Sequence, residues 1–231
     1  MKKIVYIAFC FGIIFQSFAQ TTEQPEKLFS VAMRTHFKNY AKKADFAYKI
    51  KDYTAAKFLF TKFIDSNLTN TKFKNFKAKK INGSIIHIDT YFKKPIVLVT
   101  YASWCVRREN EVTALNDLAK ELHDQIDFVI LFWDNQNTAR KSAKKFNKYI
   151  NILYINEREN IFSKEVTTLK QTLGFPLTLY IDNENKIVAI NKETPKHHIT
   201  HTTETSIVGF KTGLSALLVN ANTTKTAIAK N

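Results

Sequence analysis

Two unbroken apolar runs constrain this chain more than any other feature. Residues 95–101 (PIVLVTY) and 126–133 (IDFVILFW) are dense in β-branched and aromatic side chains with little polar alternation, the pattern of strands covered on both faces. Between them, residues 106–122 place Val112, Leu115, Leu118 and Leu122 on one stripe at helical spacing. Strand, helix and second two-faced strand make a βαβ crossover, which needs a sheet with helices packed on it.

The flanking sequence extends the same architecture. Residues 73–78 and 84–88 flank Asn82-Gly83, a hairpin signal. A basic helix is predicted over 138–149, a strand over 152–155, a helix over 161–173 and a strand over 177–181, which 182–186 turns into a strand over 187–190. The fold class is therefore α/β, a mixed sheet flanked by helices. Ahead of it, Leu28, Val31, Ala32, Tyr40, Ala41, Ala44 and Tyr48 recur at spacings of three and four; after a break near Lys51-Asp52, Tyr53, Ala56, Phe60 and Ile64 share a face. The second run resembles half of a tetratricopeptide-type hairpin, but no second copy follows, so a repeat array is excluded and a helical pair packed against the main domain is expected. Within residues 191–231 only 206–219 reads as a helix.

The first twenty residues read as an export signal. Lys2 and Lys3 precede an apolar run over residues 4–15, and Ser17-Phe18-Ala19 places small residues where a signal peptidase cuts, so cleavage is expected after Ala19. The alternatives are an uncleaved anchor, for which the run is short, and a lipid on Cys10, which bulky Phe9 disfavours. The expected organisation is a signal peptide (1–19), a helical hairpin (20–66), the α/β domain (67–219) and a loose C-terminal tail (220–231). Cleavage removes two lysines and no acid, taking the formal charge from +15 to 15 − 2 = +13. It also removes Cys10 and leaves Cys105 as the one cysteine of an exported, periplasmic or cell-envelope protein.

Composition closes off other functions. The chain has 5 glycines, too scattered for a phosphate-cradling loop, and its two cysteines build neither a disulfide scaffold nor a four-ligand zinc site. No cofactor is expected. His197, His198 and His201 have no carboxylate or thiol at ligand spacing, so no metal is expected. The lysines are spread along the chain, which reads as a solubilising surface with peripheral attraction to an anionic membrane surface, and nucleic acid is not an expected partner.

The stretch from Tyr101 to Glu111 (YASWCVRRENE) carries the chemistry. It runs from a buried strand into a helix, so Cys105 stands near a helix N-terminus, where orphan backbone N–H groups stabilise a thiolate. Arg107 and Arg108 add positive charge with the same sign of effect. The alternative is an inert buried cysteine, against which the arginines and glutamate that follow argue for a solvent-facing helix start.

Residues 102–105 (ASWC) after a buried strand, with residues 174–182 (GFPLTLYID) some seventy positions later, resemble the thioredoxin fold, and within it the TlpA/ResA-like (redoxin) exported thiol–disulfide oxidoreductases. The resemblance spans residues 73–219. It implies that Cys105 is the nucleophile of a Cys-x-x-Cys pair, that Pro176 is the cis-proline facing it, that Glu111 tunes it or handles a proton, and that Trp104, Phe175 and Pro176 line the substrate groove. The departure is equally specific. Arg107 and Arg108 occupy the positions where the family carries proline and the second cysteine. Attack and mixed-disulfide formation remain possible, while release by an internal thiol does not, so ordinary dithiol reductase activity is not expected. A peroxiredoxin-type site would put Pro and Thr or Ser where the chain has Leu98 and Ala102. Two functions stand: thiol–disulfide exchange through an intermolecular mixed disulfide with envelope proteins or small thiols, and a non-catalytic binding module that kept the groove.

Overall fold

The computed structural model describes residues 26–103, 105, 109–171, 173–192 and 203–228. Two helices, α1 (Phe29–Lys49) and α2 (Tyr53–Phe63), form the expected pair, closed by a π-turn over Ile64–Leu68. The break between them falls where the pattern lapses. Lys51 adopts φ 58, and the Asp52 carboxylate caps α2 by accepting from Ala55 N at 2.8 Å. Tyr40 stacks on Phe63 with ring centroids 4.5 Å apart, and burial, helped by Tyr48 and Asp45, pushes its phenol up to about 12.

The strands are β1 (Lys77–Lys80), β2 (Ile85–His87), β3 (Ile96–Tyr101), β4 (Asp127–Phe132), β5 (Ile150–Tyr154), β6 (Leu177–Ile181) and β7 (Ile187–Asn191). They lie in one sheet in the order β2-β1-β5-β4-β3-β6-β7. The β3–β4 and β4–β5 pairs are parallel, while β6 and β7 run antiparallel beyond β3. Helices α3 (Ile88–Tyr91), α4 (Glu109–Leu122), α5 (Gln136–Ala143), α6 (Lys164–Gln171) and α7 (Thr203–Ile228) complete the described elements. Parallel βαβ followed by an antiparallel hairpin, with helices on both faces, is the thioredoxin-like arrangement the two motifs imply.

The two apolar runs are two-faced because the sheet separates two cores. Along β3, Ile96 and Leu98 enter the layer completed by Phe29, Met33, Leu68, Val166 and Leu169. Val97, Val99 and Tyr101 enter the opposite layer with Leu115, Ala119, Phe210, Leu214 and Leu217. The polar stretch over residues 67–72 joins rather than separates. Asn70 N donates to Ile187 O, Ile187 N donates to Thr71 O, and Lys72 bridges both Leu28 and Lys186. The base of the helical pair thus belongs to the core of the α/β domain.

Several boundaries differ from the periodicity: β1 lies at Lys77–Lys80 rather than 73–78, β5 starts at Ile150 rather than 152, and three helices have other ends. α5 stops at Ala143 instead of continuing to 149, because Asn147 is clamped to Asn116: its N and Nδ2 donate to Asn116 Oδ1 and O at 2.7 and 2.6 Å. α6 begins at Lys164 rather than 161. Asn160 is held to the backbone of Lys77 in both directions, and Ser163 Oγ caps the helix by accepting from Val166 N at 3.3 Å. α7 extends the shorter helix expected over 206–219 through the expected loose tail as far as Ile228, the last described residue; after Gly213, residues 214–228 hold neither glycine nor proline to stop it. The expected signal peptide lies outside the described residues.

Candidate functional site

Strand register gathers the site at one edge of the sheet. Tyr101 at the end of β3 pairs with Phe132 at the end of β4; Thr100 pairs with Leu177 at the start of β6, and Thr178 with Asn191 at the end of β7. The loop carrying Cys105, the Trp133-Asp134 turn, the Phe175-Pro176 approach and Lys192 therefore meet at the same end. Sites in open α/β sheets form beyond the strand ends in this way.

The Cys105 loop is fastened from both sides. Cys105 N donates to Ala102 O at 2.9 Å, closing a turn directly after β3. Ser103 N donates to Asp134 Oδ2 at 2.8 Å, and Trp133 N to Tyr101 O at 2.7 Å, so the end of β4 holds the loop. Cys105 is half-buried and packed against the α4/α7 core layer.

Across the edge, the Phe175–Pro176 peptide bond is cis, and the Phe175 ring packs on Trp133 with centroids 5.0 Å apart. Trp133 Nε1 is buried with no hydrogen-bond partner among the described residues. Glu111, on the first turns of α4, is only 4% exposed. It shares a cavity of ≈ 20 Å³ with Pro176, Thr178, Asn191, Gly209 and Phe210, and that space holds roughly one water. Of the residues expected at the site, the structure thus brings Glu111 and Pro176 to one cavity, while the Phe175 ring packs on Trp133. Trp104, Arg107 and Arg108 lie outside the described residues, as do His197, His198 and His201. Among the described residues no cluster of three metal-ligating side chains occurs.

One site residue escaped the sequence reading. Trp133-Asp134 is legible in the sequence as the end of a buried central strand, on the edge where α/β sites form, with a buried aromatic as the favoured role. Lys192 gave no signal, standing as one lysine among many. The residue is exposed as a whole, yet its Nζ donates to Leu173 O beside Gly174, and burial lowers its affinity for a proton. A wider cleft of ≈ 480 Å³ opens alongside, lined by Trp133, Asp134, Gln136, Asn156, Glu157 and Arg158.

The AhpC/TSA family profile matches residues 69–190, more than half of the chain, and the chain belongs to that family. Its sheet resembles a thiol:disulfide interchange protein from Bacteroides sp. (16% identity, 53% of this chain and 80% of that one, TM-score 0.47). It also resembles the thioredoxin domain of a thiol-disulfide oxidoreductase from Bacteroides vulgatus (16% identity, 55% and 89%, TM-score 0.47) and a secreted disulfide oxidoreductase from Mycobacterium tuberculosis (13% identity, 59% and 95%, TM-score 0.45). No curated protein sequence matches the chain.

Proposed function

We propose that this is an exported, envelope-resident thiol–disulfide exchange protein working through one cysteine. The observation that carries the reading is the half-buried Cys105 on a pinned turn at the end of the central strand, at the same sheet edge as Phe175-Pro176 and Glu111. The Cys105 thiolate attacks one sulfur of a partner disulfide; the S–S bond breaks, the other partner sulfur leaves as a thiolate, and a mixed disulfide forms. A second, external thiol then attacks that mixed disulfide, returning the Cys105 thiolate and keeping the new disulfide between itself and the partner. Arg108, where a resolving cysteine would stand, makes the external thiol necessary. Leu98 and Ala102, both buried, stand where a peroxidatic site would carry a proline and a hydroxyl side chain, which favours exchange over peroxide chemistry within the same family.

The test is the pH dependence of Cys105 alkylation in the mature protein, followed by trapping of mixed disulfides from the envelope. A midpoint below the ordinary thiol value of about 8.5, with trapped partners lost in Cys105→Ser, supports the reading. A thiol that reacts only on unfolding, or partner complexes that survive Cys105→Ser, replaces it with a non-catalytic binding module.

A further inference from the structure

The far end of the helical pair is unlike the rest of the surface. Among the described residues, five exposed large apolar side chains fall between positions 46 and 58: Phe46, Tyr48, Ile50, Tyr53 and Phe58, with Phe46 at 64% exposure and Ile50 at 58%. They flank the turn at Lys51, where the Tyr48 and Tyr53 rings come within 6.3 Å of each other. None belongs to either core layer; the buried side chains of the two helices toward this end are the small Ala44, Ala47 and Ala56, while the aromatics that pack on the core layer, Phe37, Tyr40 and Phe60, lie nearer the base. An exposed apolar cluster on so slight a support is a binding surface more than a structural one.

Its charge identifies the occupant. Lys42, Lys43 and Lys49 stand four, three and three residues from Phe46, at the spacings that share a helix face, and all three are exposed. Lys51 and Lys57 add two more, against Asp45 and Asp52, and the Asp52 carboxylate is engaged in capping α2. Apolar and cationic side chains are thus interleaved around a protruding turn. A rigid protein partner would need a pocket for each ring and a carboxylate for each lysine, in register. A bilayer interface needs neither, because aromatic rings settle at the headgroup level while lysines reach up to anionic headgroups. No described helix is long and apolar enough to cross a membrane, so contact at this point is with the surface.

We propose that the tip of the α1–α2 hairpin, centred on Phe46, Ile50, Tyr53 and Phe58 with Lys42, Lys43 and Lys49, docks the protein on an anionic lipid surface. The proposal is independent of Cys105 chemistry, since these residues lie on a different element from the site.

The test is co-sedimentation of the mature protein with vesicles of mixed phosphatidylglycerol and phosphatidylcholine, against phosphatidylcholine alone. Binding is expected to the anionic vesicles and to weaken with salt. Phe46→Ser with Ile50→Ser, and separately Lys42→Glu with Lys49→Glu, should each lower the partition coefficient at least about tenfold. Lys141→Glu with Lys144→Glu, on and just after α5, should leave it within about twofold, the result for residues outside the docking surface. All these positions are exposed, and unchanged circular dichroism and Cys105 alkylation would verify folding. Three results overturn the proposal: no binding to anionic vesicles; an equal loss in the α5 variant, which would assign binding to overall charge; or loss of self-association in sedimentation equilibrium on Phe46→Ser with Ile50→Ser, which would assign the surface to a second copy of the chain.

Discussion

At Gly213, α7 passes directly against the Tyr180 ring of β6. A Cβ built there would lie 2.6 Å from Tyr180 Cδ2 and closer still to Cε2 and Cζ, well inside van der Waals contact. The Tyr180 ring has nowhere to go. It is fully buried near the end of β6, paired with Val97 and Ala189, and its hydroxyl donates to Phe210 O at 3.3 Å while Asn191 Nδ2 donates to that hydroxyl and to Gly209 O. In Gly213→Ala the helix must lift. Overpacking of this kind costs about 1–3 kcal/mol, and a site with a fixed ring belongs at the upper end. Alanine returns about 1 kcal/mol of helix propensity. The net loss of about 2 kcal/mol should lower Tm by roughly 4–8 °C in a chain of this size. Thermal and urea unfolding would measure it, with a double-mutant cycle as the specific readout. In a Tyr180→Leu background the methyl group should lose most of its cost, a coupling of about 1–2 kcal/mol. A stabilised Gly213→Ala, or strictly additive variants, would refute the packing of α7 on Tyr180.

Two further outcomes follow from buried polar contacts. Ser30 Oγ donates to Glu165 Oε1 at 2.9 Å with both residues buried, joining α1 to α6; Ser30→Ala removes that donor from the Glu165 carboxylate and should cost about 1–3 kcal/mol in urea unfolding, whereas Ser30→Thr should retain most of it. Because burial lowers the proton affinity of folded Lys192, the unfolded chain binds more protons between that lowered value and 10.5, so stability rises with pH across this window. The unfolding midpoint of the native protein should gain on that of Lys192→Met as pH climbs from 7 toward 10.5; a difference constant with pH would mean the amine is solvated.

Much of the fold was legible because burial leaves a periodic trace. The runs over 95–101 and 126–133 announced two-faced strands, and β3 and β4 occupy them. Residues 177–181 coincide with β6, Asn82-Gly83 turns β1 into β2, and the lapse at Lys51-Asp52 separates α1 from α2. The position of Cys105 after β3 was equally local, a matter of which residue follows a strand. Periodicity reports that a side chain is covered, and it cannot say by what. The end of α5 depended on Asn116 meeting Asn147, the start of α6 on Asn160 meeting Lys77, and the joining of the helical pair to the domain on Ser30 meeting Glu165. Lys192 became part of the site only because β7 runs antiparallel to β6 and delivers its end beside Gly174. By itself the sequence determined the alternation of strands and helices and the cysteine that follows the central one, because both are set by neighbours along the chain. Helix ends, the core layer shared by the helical pair and the sheet, and the composition of the sheet edge were decided by hydrogen bonds and close contacts between residues 18 to 135 positions apart, which exist only once the chain has folded.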